Sequence, residues 1–294
     1  MLEAFIKLYF NCIQRKPREK ALKLAEKIGK VLYLLNYRKD VIHKNLDIAF
    51  PDKDYQWKEE IRKKSLINIG RVLVEFPKQP QYVKSGEIKN IFIITKGFEE
   101  LKSYVGKGAI VVSGHISSWE MCGAGLSTYL GGMTSLAYRQ KNQKINDLIT
   151  KIRQESGIKI IFHDQPLKAF ISALNKGEII SFLVDQNALR HRGYFVDFFG
   201  LKASTVNFPA KLAVKYNVPI FFAYTYFDEN HSKYFCEIEK LEYNIRKDNE
   251  ETVYNIVQAY TKKVEETVRK HPDQYLWVHK RWKTRENEDL EKIY

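Results

Sequence analysis

The chain has 294 residues, long enough to bury roughly 75% of the surface its unfolded form exposes, so it needs neither disulfides nor a metal to hold a core. An apolar fraction of 44% excludes a disordered chain, and a mean hydropathy of -0.41 argues against a polytopic membrane protein. The net charge of +14, with 13% aromatics, points to an anionic partner: nucleic acid, anionic lipid or an acidic protein.

Cys12, Cys122 and Cys236 lie far apart with no CxxC, so neither a disulfide framework nor a zinc site is expected. No stretch reaches the ~20 apolar residues that span a bilayer. Glu3 and Lys7 interrupt the first apolar run, and no small-residue cleavage site follows. The expectation is a cytoplasmic chain whose membrane contact is peripheral.

Taken in order, residues 1–36 read as two helical pieces. Leu2, Phe5, Ile6, Tyr9, Phe10 and Ile13 recur at helical spacing in the first. Leu22, Ala25, Ile28, Leu32 and Leu35 do so in the second, past the basic break Arg15-Lys16-Pro17-Arg18. Eight Lys/Arg against three Glu in residues 1–30 suit an amphipathic anchor on anionic lipid. For the first piece this is the preferred reading; the apolar face of the second fits packing on the rest of the chain equally well. Residues 1–36 are thus taken as a membrane-associating segment and residues 37–294 as one domain. A long charged helix is predicted from Tyr55 to Glu75, stopping before Pro77.

After Glu87 the pattern turns to alternation. Strands are predicted at Ile91–Thr95, Ala109–Ser113, Met133–Tyr138, Ile158–Phe162, Ile179–Val184, Tyr194–Phe198 and Pro219–Tyr226. Helices are predicted between many of them, at Gln143–Glu155, Gln165–Asn175 and Val206–Tyr216, with a last one at Asn249–Lys270. This predicts an α/β fold: a mixed central sheet covered by helices on both faces, with a helical N-terminal extension. In such sheets chemistry collects past the carboxyl ends of strands, here after Ser113, Tyr138 and Val184.

After Ser113 come Gly114, His115, Ile116, Ser117, Ser118, Trp119 and Glu120. An imidazole on the turn with a carboxylate close by is the His–acid half of a triad that lacks its serine. Glu120 is expected to fix the tautomer and His115 to take a proton from an alcohol, for which a pKa of about 6.5 is suited. No GxSxG elbow and no HExxH occur, so neither a serine nucleophile nor a metal is expected. Taken alone, His115 reads equally well as a structural histidine.

The stretch Gly114–Glu120 resembles the HxxxxD/E motif of glycerolipid acyltransferases, and more narrowly the late (lauroyl/myristoyl) acyltransferases of lipid A biosynthesis. Other blocks follow in order. They are Asn45-Leu46 with Ala49-Phe50-Pro51 and Glu75; Tyr138-Arg139 with Asn142 and Arg153; and Asp185-Gln186. Then come Phe198-Phe199-Gly200 with Ala203 and Thr205, Pro272-Asp273-Gln274-Tyr275-Leu276-Trp277, and His279–Arg285. The likeness spans about Asn45 to Arg285. Members of that family often begin with a membrane-spanning helix, which this chain replaces by a short interrupted one.

The resemblance implies transfer of an acyl group from a carrier thioester, on acyl carrier protein or coenzyme A, to a hydroxyl of an anionic glycolipid. His115 would be the base. Arg139 or backbone N–H groups near Thr205 would serve the oxyanion. Substrate contacts are expected at Arg139, Arg153, Asp185, Gly200, Thr205, Arg281 and Arg285. Arg139 and Arg153 would hold phosphate, with surface ion pairs as the bland alternative. Asp185, Thr205 and Asn207 fit helix or turn caps as well, and Gly200 a tight turn. Trp277 is expected in the core. No cofactor and no nucleic-acid partner are expected, the chain is taken as a monomer, and the site faces the cytoplasmic side of the inner membrane. Another lipid acceptor (a phosphatidylinositol mannoside or a lysophospholipid), or a lipase or thioesterase using the same His–Glu pair, would keep this chemistry. A binding module without catalysis would not need His115, and no nucleic-acid-binding signature supports it.

Overall fold

A computed structural model describes residues 2–244, 249–287 and 289–294. Five helices and a short sixth come first: α1 (Leu2–Gln14), α2 (Arg18–Leu34), α3 (Lys39–Ala49), α4 (Tyr55–Glu75), α5 (Gln79–Ser85) and α6 (Ile88–Ile91). The α/β part follows: β1 (Phe92–Lys96), α7 (Phe98–Lys102), β2 (Ala109–Ser113), α8 (Trp119–Leu130), β3 (Met133–Ala137), α9 (Gln143–Glu155), β4 (Ile158–Phe162), α10 (Leu167–Asn175) and β5 (Ile179–Leu183). Then come β6 (Gly193–Phe198), β7 (Leu201–Val206), α11 (Phe208–Tyr216), β8 (Ile220–Asp228), β9 (Lys233–Lys240) and α12 (Asn249–Lys270).

The central sheet has seven strands in the order β1-β9-β8-β2-β5-β3-β4. From β8 to β4 all neighbours are parallel; β9 is antiparallel to β8, and β1 runs parallel to β9. The sheet is therefore mixed, as the alternation predicts. Strand β2 shows the coverage: all five of its residues are buried, so both faces must be covered. Ile110 and Val112 enter one apolar cluster with α10, α11 and α12. Ala109 and Val111 enter the other, with α8. The period of two divides one strand between two cores.

Strands β6 and β7 form a separate antiparallel hairpin. It packs on α12, where Phe199 N–H donates to Glu265 and Asp197 N–H to Gln258. β7 and β9 lie outside the predicted strands.

Helix α2 packs closely on α4 through two glycines. A Cβ on Gly29 would stand 2.3 Å from Ile67 Cα, and one on Gly70 would stand 2.2 Å from the Ala25 carbonyl oxygen. Ile13, Ala21, Ala25 and Val74 make a third apolar cluster there. Buried Glu75 ties the layer to the sheet, accepting from Arg18 at 2.7 Å and from the Tyr234 hydroxyl. Helix α1 touches the same layer through Tyr9, Phe10 and Gln14, while Leu8 is exposed. The side chains of Leu2 and Phe5 lie outside the described residues. Among the described residues, no helix is long and apolar enough to cross a membrane.

Candidate active site

The site forms where two parallel neighbours end together. In the β2–β5 pair Ser113 stands opposite Leu183, and Val184 N–H donates to the Ser113 carbonyl at 2.9 Å. Two residues further along each chain come His115 and Asp185, and His115 Nδ1 lies 2.7 Å from Asp185 Oδ1. The aspartate is nearly inaccessible, at 4% exposure. Burial alone would push its carboxyl up. The charge and the ring and backbone N–H groups of His115, with Arg281 farther off, outweigh that and hold it below the usual range. An ionised Asp185 accepts from Nδ1–H, so in the neutral ring the lone pair is on Nε2. Gln186 Nε2 stands 3.3 Å from that nitrogen, and the Trp119 ring meets the imidazole edge-on at 4.7 Å.

This corrects the partner expected from sequence. Glu120 does not hydrogen-bond His115. Helix α8 begins at Trp119, capped by the Ser118 side chain after a positive φ of 51° at Ser117, and the first turn aims Glu120 at α9. There Glu120 accepts twice from Arg153, at 3.0 and 2.5 Å, and once from the Trp119 indole at 3.2 Å. Burial would lower the Arg153 pKa, but Glu120 raises it beyond the ordinary value. Asp185, expected on the substrate side, is the carboxylate on the His115 ring. The signal was available: both residues follow an apolar strand at the same offset. Adjacency of the two strands was not.

The C-terminal segment locks both turns. Leu276 N–H donates to the His115 carbonyl at 3.1 Å, and Ser117 N–H donates to Gln274 at 2.7 Å. On the other turn Asn187 N–H donates to His279 Nε2 at 2.9 Å, and its side chain exchanges two hydrogen bonds with Thr284. Asn45 of α3 donates to the Trp277 and His279 carbonyls, both at 2.7 Å. Trp277 is core, as expected.

Arg281 is buried at 2% exposure, donating to the Ser204 carbonyl at 2.8 Å and to Thr205 Oγ1. It and Thr205 therefore brace the site from behind. Asn207 stands at the N-cap position of α11 but makes no side-chain cap bond. Gly200 forms the β6–β7 turn with a φ of 75°, and its N–H donates to Asp197 Oδ1 at 3.1 Å. Arg139 is outside this network: it donates to Asp164 at 2.7 Å and lies over the Phe162 ring. The Arg285 carbonyl accepts from Arg190 at 2.8 Å.

Past Trp119 and Glu120 a narrow cavity of about 80 Å³ runs between α8 and the sheet. Val111, Leu126, Met133 and Ile158 are among its apolar walls; Trp119, Glu120 and Arg153 also line it. Deeper in, the hydroxyls of Ser135 and Ser181 hydrogen-bond to each other. Among the described residues, no group of three or more His, Cys, Asp or Glu is placed to hold a metal.

The model of the bacterial lipid A biosynthesis acyltransferases matches residues 5–284. A lipid A biosynthesis acyltransferase of Haemophilus influenzae is 29% identical over 259 residues, covering 84% of this chain and 76% of its own. A lipid A biosynthesis palmitoleoyltransferase of Escherichia coli is 26% identical over 256 residues, covering 85% and 80%. A phosphatidylinositol mannoside acyltransferase of Mycolicibacterium smegmatis is 25% identical over 127 residues, covering 42% and 41%.

Proposed function

Because the chain belongs to the bacterial lipid A biosynthesis acyltransferase family, and so is an acyltransferase with an acyl donor and a lipid acceptor, we propose the following reaction. It moves a fatty acyl chain from the thioester of acyl carrier protein to a hydroxyl of a lipid A precursor. The observation that carries the mechanism is the His115 ring, with Nδ1 on buried Asp185 and Nε2 beside the Gln186 amide. His115 takes the acceptor proton on Nε2 as the hydroxyl oxygen attacks the thioester carbon. The tetrahedral oxyanion then collapses, the C–S bond breaks, and the departing thiolate receives that proton from the imidazolium. Asp185 holds the tautomer throughout and stabilises the imidazolium. The cavity along α8 takes the thioester end of the acyl chain, and Arg153, held by Glu120 on its lining, meets an anionic part of a substrate.

The reaction takes place on the cytoplasmic face of the inner membrane. Exposed Val31, Leu34, Leu35 and Tyr37 lie in a stretch that also carries Lys27, Lys30 and Arg38, a composition suited to anionic lipid. Residues 1–36 supply the membrane-associating segment, and the net charge of +14 favours both a phosphorylated acceptor and an acidic carrier.

The test is incubation of the protein in detergent with acyl-carrier-protein thioester and a tetra-acylated lipid A precursor, read by mass spectrometry. Wild type adds one acyl chain, and His115→Ala lowers the rate by about 10²–10⁴, the span of a positioned base. Thioester turnover without addition would reject this acceptor, and a phosphatidylinositol mannoside is then the next to try, given the Mycolicibacterium relative. Addition at the wild-type rate by His115→Ala would reject the mechanism.

A further inference from the structure

The turn that supplies the orienting carboxylate also supplies a neutral donor to the opposite face of the same ring. Asp185 bonds Nδ1, and the next residue, Gln186, sets its amide nitrogen 3.3 Å from Nε2. With Nδ1 protonated toward Asp185, the Nε2 lone pair needs a donor, and the amide N–H supplies one. The place Gln186 occupies is where an acceptor hydroxyl must sit for His115 to act as a base.

Arg139, expected at the oxyanion, and Arg153 and Arg281, expected to contact substrate, are committed elsewhere. Arg139 donates to Asp164, Arg153 to Glu120, and Arg281 to Ser204 and Thr205. Thr205 stands in the β6–β7 ladder opposite Tyr194 and is bridged to Asn187. Gln186 is the half-buried amide next to the base, on a turn fixed by His279 and Thr284.

We propose that Gln186 is a catalytic residue with two successive tasks: its amide N–H caps His115 Nε2 in the free enzyme, and, displaced by the acceptor hydroxyl, it donates to the oxyanion. The idea rests on the acyl-transfer reading above. While capped, the lone pair is closed to water, so a bound thioester is not hydrolysed. When the hydroxyl arrives it donates to Nε2 in place of the amide, and its oxygen attacks the thioester carbon. The carbonyl π electrons pass to oxygen, and the released N–H bonds that oxyanion. Collapse restores the carbonyl, breaks C–S, and sends the proton from Nε2 to the thiolate.

The experiment compares wild type with Gln186→Leu and Gln186→Met, which keep the volume of the side chain and lose the donor. Three quantities are read: acyl transfer, free fatty acid released per transfer, and, with no substrate present, carbethoxylation of His115 by diethyl pyrocarbonate followed by peptide mass spectrometry. With unchanged melting temperature, transfer falls by about 10²–10³ in kcat, as on removing one oxyanion donor. KM changes little, hydrolysis per transfer rises several-fold, and His115 is carbethoxylated several-fold faster. Transfer within twofold of wild type, or unchanged carbethoxylation in both variants, overturns the proposal. The carbethoxylation arm needs no substrate: if wild type fails to acylate the precursor, only that acceptor falls, whereas an unchanged carbethoxylation rate removes the cap whatever the acceptor.

Discussion

Two turns of this protein each hold a carboxylate in the neighbourhood of His115, and they are built in opposite ways. The turn after β5 carries Asp185 almost without solvent, between the His115 ring and the C-terminal segment. The first turn of α8 carries Glu120, five residues from His115 in sequence, at the edge of a cavity and tied to the Arg153 side chain. A buried carboxylate on an imidazole sets its tautomer; a carboxylate on an arginine neutralises and aims a cation. Strand register, not closeness along the chain, decides which acid meets the His115 ring.

The sharpest way to break this contrast is to remove each charge without changing shape. Asp185→Asn permits the wrong imidazole tautomer and is expected to lower kcat by about 10³–10⁴, the scale of the corresponding change in a serine-protease triad. Glu120→Gln leaves the His115–Asp185 pair intact and is expected to cost about tenfold, the worth of one charged hydrogen bond. Equal losses in steady-state assays of the two variants would show that both acids act on His115.

Much of the scaffold was legible because burial follows simple periods. The strand at Ala109–Ser113 and the helices at Tyr55–Glu75, Gln143–Glu155 and Asn249–Lys270 end where their apolar patterns end. Strand β7, Leu-Lys-Ala-Ser-Thr-Val, shows little alternation of its own, and its partner β6 holds it in a hairpin. In β9 the alternation is present, with Tyr234, Cys236 and Ile238 buried, but Lys233, Glu237 and Glu239 at the positions between have little strand preference of their own. His115 could be found locally, from a strand followed by Ser-Gly-His. Its partnership with Asp185 spans 70 residues and depends on which strands are neighbours. The locking role of His279 and Thr284 is longer-range still, and a basic, aromatic tail reads as a binding patch until its contacts are seen.

The lock on the Asp185 turn makes its own prediction. Burial, reinforced by Arg281, His115 and Arg38 against the pull of Asp185, lowers the His279 pKa to about 4. The unfolded value is about 6.5. The folded state therefore binds fewer protons between these values, so stability rises with pH in that window. The contribution is complete above about pH 6.5 and is lost as pH falls toward about 4; the difference corresponds to about 3 kcal/mol. Urea unfolding from pH 7 to pH 4 should show His279→Asn losing less stability than wild type by about that amount. Asparagine can still accept from Asn187 N–H, so the neutral-pH difference should be smaller. Parallel pH profiles would remove His279 from the acid response.

The smallest expected effect concerns the other turn. If Glu120 serves mainly to hold Arg153, the two side chains must act as one unit toward substrate. Glu120→Gln and Arg153→Met should each raise KM more than they lower kcat, and the double variant should be little worse than the poorer single one. The coupling in a double-mutant cycle on kcat/KM is then expected at about 1.4 kcal/mol, the tenfold cost of Glu120→Gln itself. The sequence gap between Glu120 and His115 makes the opposite result worth seeking: coupling of Glu120 to His115 and none to Arg153 would mean that α8 turns its first residues back to the base when substrate binds.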